Sequence, residues 1–396
     1  MNLLDSLARL RLFRFEFFDT GAAYRAATAR LDQINALVGV CMFNARVSRA
    51  QPAFIWGIIS LLLYVYLAFE STIWYRDNID KLMMCITTHG FSLQMASKVY
   101  TFILNRNRVI EINEINLKYF GTSGRKAASQ LECLKPSAKI ANILITMTIF
   151  GYVTLTSLII AIPVIYGLIV SKKVLPMGYE VVHSTEWPGY IVNLLFQINC
   201  MIYVSLTTIT SDGTFILFLM SAIGQIDAIL GRLSEFSEQL KQTDDDEQIT
   251  GNLKQILRLH QHHQRYMRKL DDLFSTYFMI AIISLYFCMS VCLASFLLLN
   301  WYMGILMFCF SSAQIFFMCF LGTALQTKAE QMLHEVDSLS WHQLSVQNQK
   351  VAVLFLAAVQ NPISLTAAMV ELNVATYLQI HKSVYSACMF LLRSKE

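Results

Sequence analysis

The chain carries little charge for its length. Only 15% of its 396 residues are Asp, Glu, Lys or Arg, against about 25% in an average soluble domain. With 55% hydrophobic residues and a mean hydropathy of +0.48, this excludes a row of soluble domains and points to an integral membrane protein. Signal-peptide character is missing too. The first 18 residues, MNLLDSLARLRLFRFEFF, hold five charges and no apolar core of the needed length. They are expected to form an amphipathic helix on a membrane surface, the alternative being a partly ordered leader. No Asn-x-Ser/Thr sequon occurs.

Catalytic and metal patterns are equally scarce. Neither Gly-x-Ser-x-Gly nor His-Glu-x-x-His occurs, so neither the serine-hydrolase nor the zinc-protease signature is present, and no enzyme or cofactor is expected. Seven of the nine cysteines lie in apolar runs, among them Cys288 and Cys292, and Cys41 and Cys133 lie in polar segments. Their spacing fits neither a disulfide framework nor a zinc site. The run HQHHQR at 260–265 places His260 and His263 three apart, but no acidic or cysteine partner stands at ligand spacing. No metal is expected there. His89 reads as a hydrogen-bonded packing residue. The acidic run Asp244–Glu247 reads as a solvated loop.

What the chain has is apolar runs of bilayer length, about 20 residues each. Spans are expected near 52–75, 82–105, 140–171 and from Pro188 to Asp212, the last continuing to Gln225 as a tail in water. Lys98 is expected to snorkel near the end of the second. The 55 uncharged residues from Leu273 to Thr327 fit two spans folded at Asn300-Trp301-Tyr302. After the mixed segment 328–350, Asn361-Pro362 divides the last apolar stretch into a short helix, 351–360, and a seventh span, 363–393.

Lys and Arg concentrate on the cytoplasmic side of membrane proteins. With the N-terminus inside, 23 of them fall in cytoplasmic segments, seven of these in the loop 106–139, and seven on the other side. The fold expected is therefore all-α: a seven-transmembrane helical membrane protein, N-terminus cytoplasmic, C-terminus extracellular, with a cytoplasmic helical anchor bundle. Its parts are a cytoplasmic segment, 1–51; spans one to four, 52–212; the extension of span four and leader of span five, 213–272; spans five and six, 273–327; anchor helices, 328–360; and a last span, 361–396. The orientation opposes that of a G-protein-coupled receptor, and Asn361-Pro362-Ile363-Ser364-Leu365 lacks the tyrosine of an NPxxY motif. A transporter would show paired charges within its spans and internal repeats; neither is evident in the sequence.

The last sixty residues resemble a known family. SLSWHQLSVQNQKVAVLFLAAVQNPISLTA, 338–367, is similar to the signature of insect odorant receptors, with Trp341, an apolar helix, then Gln360 and Pro362. ATYLQIHKSVYSACMFLL, 375–392, resembles that family's closing pattern through Thr376, Tyr377, Ile380, Lys382, Ser383, Tyr385 and Ser386. ILRLHQHHQRYMRKLDDLFS, 256–275, also fits. The gustatory branch carries Gln-Phe where this chain has Ser383 and Val384, so a gustatory channel forming homotetramers is the alternative. The family's cysteine late in span six is missing, and Cys319 stands as its displaced equivalent.

The resemblance implies an odorant-gated, nonselective cation channel in the plasma membrane of a sensory-neuron dendrite. The chain lacks the long loop of the co-receptor between spans four and five, so it resembles a tuning subunit that assembles with that co-receptor in a heterotetramer. Membrane lipid and a small volatile odorant are its other expected partners; nucleic acid is not. The gate implied is an aliphatic ring at Ile380 and Val384, with Gln379 and Ser383 as polar neighbours. Lys382 either marks the exit of the last span or borders an aqueous vestibule, and Glu371, read as mid-helix, must face a polar partner. The ligand pocket implied lies among the outer halves of spans two, three, four and six. It would be lined by Met84, Thr88 and Phe91; Phe150, Thr154 and Ser157; Phe196, Asn199 and Tyr203; and Trp301, Tyr302, Ile305 and Phe308. Trp341 and Gln360 are the implied subunit-interface residues.

Overall fold

In the computed structural model, which describes residues 20–39, 43, 51–120, 125–177, 179–182, 186–242, 245–299 and 301–393, ten α-helices follow one another. The amphipathic stretch 1–18 lies outside the described residues. The helices are α1 (Thr20–Leu37), α2 (Pro52–Trp74), α3 (Ile79–Val99), α4 (Arg106–Phe120) and α5 (Arg125–Val170). They continue with α6 (Trp187–Leu240), α7 (Asp246–Leu299), α8 (Tyr302–Asp337), α9 (Val346–Val359) and α10 (Val374–Arg393). One π-helical turn, Tyr100–Leu104, extends α3. A two-residue antiparallel ladder, β1 (Thr366–Ala367) with β2 (Val370–Glu371), precedes α10.

Among the described residues, five helices are long and apolar enough to cross a membrane: α2, α5, α6, α7 and α8. The other two expected spans, α3 and α10, are 21 and 20 residues long and carry more polar side chains. The outward faces of α2 and α5 present Trp56, Leu62, Phe69, Phe150 and Leu168. So much exposed apolar surface is anomalous in water and ordinary in lipid.

Proline and asparagine set several starts. Pro52 and Pro188 stand in the first turns of α2 and α6, where the missing N–H costs nothing. Asn78 Oδ1 accepts from Lys81 N at 3.2 Å and caps α3, and Asn373 Oδ1 accepts from Thr376 N at 2.9 Å at the start of α10.

Four expectations change at this level. The cation-rich segment 106–139, read as a loop, forms α4 and the first turns of α5. In α4, Arg108, Glu111, Glu114 and Lys118 are exposed while Val109, Ile112 and Phe120 are buried, the pattern of an amphipathic helix. The tail of α6 does not stand in water. Every residue from Thr208 to Ile226 is buried, because Phe215-Ile216-Leu217-Phe218-Leu219 is apolar all round and needs protein on every side. The acidic run opens a helix: Asp245 Oδ1 accepts from Glu247 N and Gln248 N at 3.1 and 3.3 Å, and carboxylates suit a helix N-terminus.

The fourth change concerns the last span. It starts at Val374 and not at Ile363, because the chain after Pro362 makes a hairpin with Ala368 at φ 60°. The Asp271 carboxylate accepts from Thr366 N at 2.8 Å, and Ser275 Oγ from Ala368 N at 3.1 Å. Thr323 Oγ1 accepts from Val374 N at 3.0 Å. The hairpin passes so close to Gly322 that any side chain there would collide with the Leu372 carbonyl. Helix α10 thus hangs from α7 and α8. Glu371 lies on β2, exposed, and accepts from Ser364 Oγ at 3.1 Å.

A polar knot lies close by, centred on Tyr266, five residues before Asp271 on α7. Tyr24 donates to Asn113 Oδ1 at 2.9 Å, and Asn116 Nδ2 donates to Tyr24 and Tyr266 hydroxyls at 3.1 and 3.0 Å. Tyr266 donates to Phe218 O at 2.9 Å. Helices α1, α4, α6 and α7 are joined through groups too buried to be satisfied by water.

Candidate functional site

Helices α3, α5, α6 and α8 leave a cavity of about 90 Å³ between them, several times the ~10–15 Å³ that one water requires on the same measure. Helix α3 contributes Phe91 and Gln94; α5 contributes Tyr152, Leu155, Thr156 and Ile159; α8 contributes Met307 and Phe310. Helix α6 supplies Cys200, Met201, Val204, Ser205 and Thr208, α2 supplies Tyr64, and the segment between α5 and α6 supplies Met177 and Tyr179. No carboxylate or ammonium lines it. Phe310 meets Tyr152 edge to face at 5.6 Å, and Tyr64 meets Tyr179 at 5.2 Å, geometries that aromatic rings favour.

The roof is an extended segment clamped to α6. Asn193 Oδ1 accepts from Val181 N at 2.6 Å and Val182 N at 3.1 Å, while its Nδ2 donates to Val182 O at 2.6 Å. One turn on, Gln197 Oε1 accepts from Met177 N at 2.9 Å and its Nε2 donates to Tyr179 O at 2.8 Å. Both side chains are fully buried. They satisfy a segment without regular structure that would otherwise strand its backbone polar groups.

The floor is a buried charge cluster. Tyr152, part of the lining, donates to Asp212 Oδ2, and Tyr277 donates to Asp212 Oδ1 at 3.2 Å. Lys98 Nζ lies 3.5 Å from Asp212 Oδ1. This corrects two expectations. Lys98 does not snorkel, and the spans do contain a charge pair. The residues are 114 positions apart, so no local spacing revealed the pairing. A larger cleft of about 560 Å³ opens beside the cavity between α5, α6 and α8 and shares Tyr152, Leu155 and Phe310 with it.

Of the thirteen candidate ligand residues, Phe91 lines the cavity. Phe150, Thr154 and Ser157 face outward; Leu155 and Thr156, next to the latter two and about 100° round the helix, line the cavity instead. Asn199 faces α2, accepting from Trp56 Nε1 and donating to Ser60 Oγ, both at 3.3 Å. Tyr203 packs over Gly57 and donates to Val38 O at 3.3 Å. Thr88 is buried and donates to Cys85 O at 2.6 Å, and Phe196 packs behind Tyr179 at 6.4 Å. Met84 and Ile305 are half-buried outside the lining, and Tyr302 is exposed. Phe308 turns to His381, 6.1 Å between ring centroids, and Trp301 packs beside it in a small cluster with Met307.

On α10, Gln379 and Ser383 are exposed, Ile380 is half-buried and Val384 is buried within the chain. Val384 and Ile380 share the face turned to the core, with Tyr377. Lys382 sits on the exposed face, and His381 Nε2 meets Ser312 Oγ at 3.0 Å. Trp341 packs on its own chain and donates to Asp337 O at 3.0 Å, whereas Gln360 is exposed. His89 Nε2 meets Thr72 Oγ1 at 2.8 Å. His260 packs edge-on to Phe355 at 5.3 Å, and His263 Nδ1 meets Gln225 Oε1 at 3.3 Å. Burial holds their imidazoles well below the usual value, at about 4 and about 3, so both are neutral packing residues.

Sequence reading missed Gln94, Tyr152 and the clamp pair Asn193 and Gln197. The first had a signal: Gln94 follows Phe91 by three residues on one helical face. The 46-residue α5 has no such signal, because its apolar positions run round the whole cylinder.

The family model described as 7tm Odorant receptor matches residues 76–385. Two solved structures resemble the fold: the insect olfactory receptor OR5 from Machilis hrabei in complex with eugenol, TM-score 0.73, and the same receptor alone, TM-score 0.74. Each is 15% identical, with 95% of this chain and 100% of the other covered.

Proposed function

Because this chain belongs to the 7tm odorant receptor family, we propose that it is the tuning subunit of an odorant-gated, nonselective cation channel. It binds a small volatile molecule in the cavity between α3, α5, α6 and α8. It assembles with the odorant receptor co-receptor in a heterotetramer, in the plasma membrane of olfactory-neuron dendrites. The observation that carries the reading is the cavity itself: closed by a clamped roof, rich in aromatic and thioether groups, and free of charge. That is the character of a site for small apolar ligands. The solved relative with eugenol supports it by fold.

The ligand favours the open state by binding it more tightly than the closed one, since only differential affinity shifts an equilibrium. Tyr152 joins the cavity to Asp212, and through it to Lys98 and Tyr277, so a ligand that displaces the Tyr152 ring acts on α3, α6 and α7 together. Helix α7 holds the hairpin that starts α10. The 23-to-seven imbalance of cations supports the cytoplasmic N-terminus and extracellular C-terminus.

Gln379 and Ser383, on the open face of α10, border the ion path in this reading. Lys382 is eight residues past Val374, about 12 Å along the helix, which favours a water-filled vestibule over a membrane exit. The inward turn of Val384 leaves the aliphatic gate to residues on other faces or to the partner subunits. Exposed Val346, Val353 and Leu354 on α9 suit contact between subunits in the anchor bundle, with Gln360 at its edge.

The test is whole-cell recording during application of a panel of volatiles. Cation current is expected when this chain and the co-receptor are expressed together. Robust current from this chain alone would contradict the tuning-subunit assignment.

A further inference from the structure

We infer that the ligand of the cavity is an uncharged molecule carrying a hydrogen-bond-accepting oxygen, and that the side-chain amide of Gln94 holds that oxygen. The inference rests on the receptor reading above and narrows it to a ligand class. Gln94 lines the cavity and is 5% exposed, yet its Nε2 has no hydrogen-bond partner. A buried amide left unpaired is costly, and native proteins leave few. The side chain borders the cavity while Nε2 itself is covered, so a turn about the side-chain bonds presents the donor to what enters the cavity.

Two of the tyrosine hydroxyls in the lining are already committed to partners. Tyr64 spends its hydroxyl hydrogen on Thr88 O at 2.7 Å, and Tyr152 spends its own on Asp212. Gln94 is thus a donor without an acceptor beside two engaged tyrosines, in a lining whose other hydroxyls are those of Thr156, Ser205, Thr208 and Tyr179. A protonated amine would need a free carboxylate, but Asp212 already faces Lys98, Tyr152 and Tyr277. A carboxylic acid would need a free cation, but Lys98 is paired with Asp212. Hydrocarbons fit the apolar walls and leave the Gln94 amide unpaired. Ketones, esters and ethers of small size satisfy both requirements.

A polar site rejects an analogue lacking its partner atom more sharply than an apolar site rejects an extra group. The expected discrimination is about tenfold in concentration, within the range for one unpaired buried donor.

The experiment measures concentration–response curves for a ketone, an ester, the alkane of equal length and the matching primary amine, on this chain co-expressed with the co-receptor. The native chain is expected to respond to the ketone or ester at about tenfold lower concentration than to the alkane, and not to the amine. In Gln94→Met, which keeps length and removes the donor, the gap is expected to shrink to about twofold with the alkane response retained. A native chain that responds equally to ketone and alkane overturns the inference, as does a Gln94→Met chain that keeps the tenfold gap. The native series decides the matter even where the variant does not reach the surface. Responses without oxygen preference leave the receptor reading standing while this inference falls. Silence toward the whole panel, with both chains at the surface, overturns both.

Discussion

Lys98 Nζ lies 3.5 Å from Asp212 Oδ1, with both side chains withdrawn from solvent, and the pair ties α3 to α6 directly beneath the cavity. A charge pair removed from water gains little over an apolar pair, but removing one member strands the other. Lys98→Met is therefore expected to lower stability by roughly 3–5 kcal/mol, and adding Asp212→Asn to that chain should recover most of the loss. Thermal unfolding of the purified protein in detergent checks both. Equal melting of Lys98→Met and the native chain would mean that the two groups do not stand as an ion pair in the folded chain.

Asn193 and Gln197 each make several hydrogen bonds to the roof segment from fully buried positions. Replacing either by Ala orphans backbone groups at a cost of roughly 1–3 kcal/mol. The expected result is a rise of about tenfold in half-maximal odorant concentration, with surface expression close to native. Concentration–response recording beside surface labelling separates a loosened roof from a misfolded chain.

The two faces of α10 differ in solvent access. Ser383→Cys and Gln379→Cys should react with a water-soluble thiol reagent applied during odorant stimulation, and current should fall as they do. Val384→Cys, on the buried face, should not. Equal reaction at Ser383 and Val384 would show that α10 rotates on assembly.

His260 and His263 are held neutral by burial, with pKa values lowered to about 4 and about 3. The unfolded chain takes up these protons below its ordinary value of about 6.5. Stability is thus fully present above that value and is lost progressively as pH falls through 6.5 toward 4 and 3. Melting temperature should drop between about pH 7 and pH 5, and His263→Gln should drop less. An identical slope in that variant would assign the pH effect to other groups.

Much of the helical architecture was legible in the sequence, for a physical reason: the bilayer demands long uncharged runs. The two spans carrying polar groups were harder. In α3, Lys98 looked like an end marker because its partner Asp212 lies on another helix. The start of α10 was hidden because Ile363–Leu372 is apolar enough to pass for helix, while Asp271 and Ser275, some ninety residues earlier, hold it as a hairpin. The cavity was legible as a place but not as a set of side chains. Phe150, Thr154 and Ser157 were chosen on an α5 that is apolar on all sides, where rotation about the helix axis is set by Tyr152 reaching Asp212. The roof escaped notice because its order comes from two amides of α6, and extended segments leave no periodic trace.

The most direct test fills the cavity from a residue that only lines it. Ile159 borders the cavity and Phe150, on the same helix, faces away from it. Odorant-evoked current should be abolished, or shifted at least about tenfold in concentration, by Ile159→Trp, and left near native by Phe150→Ala, at matched surface levels. An unchanged concentration–response curve for Ile159→Trp would contradict the claim that the odorant sits between α3, α5, α6 and α8.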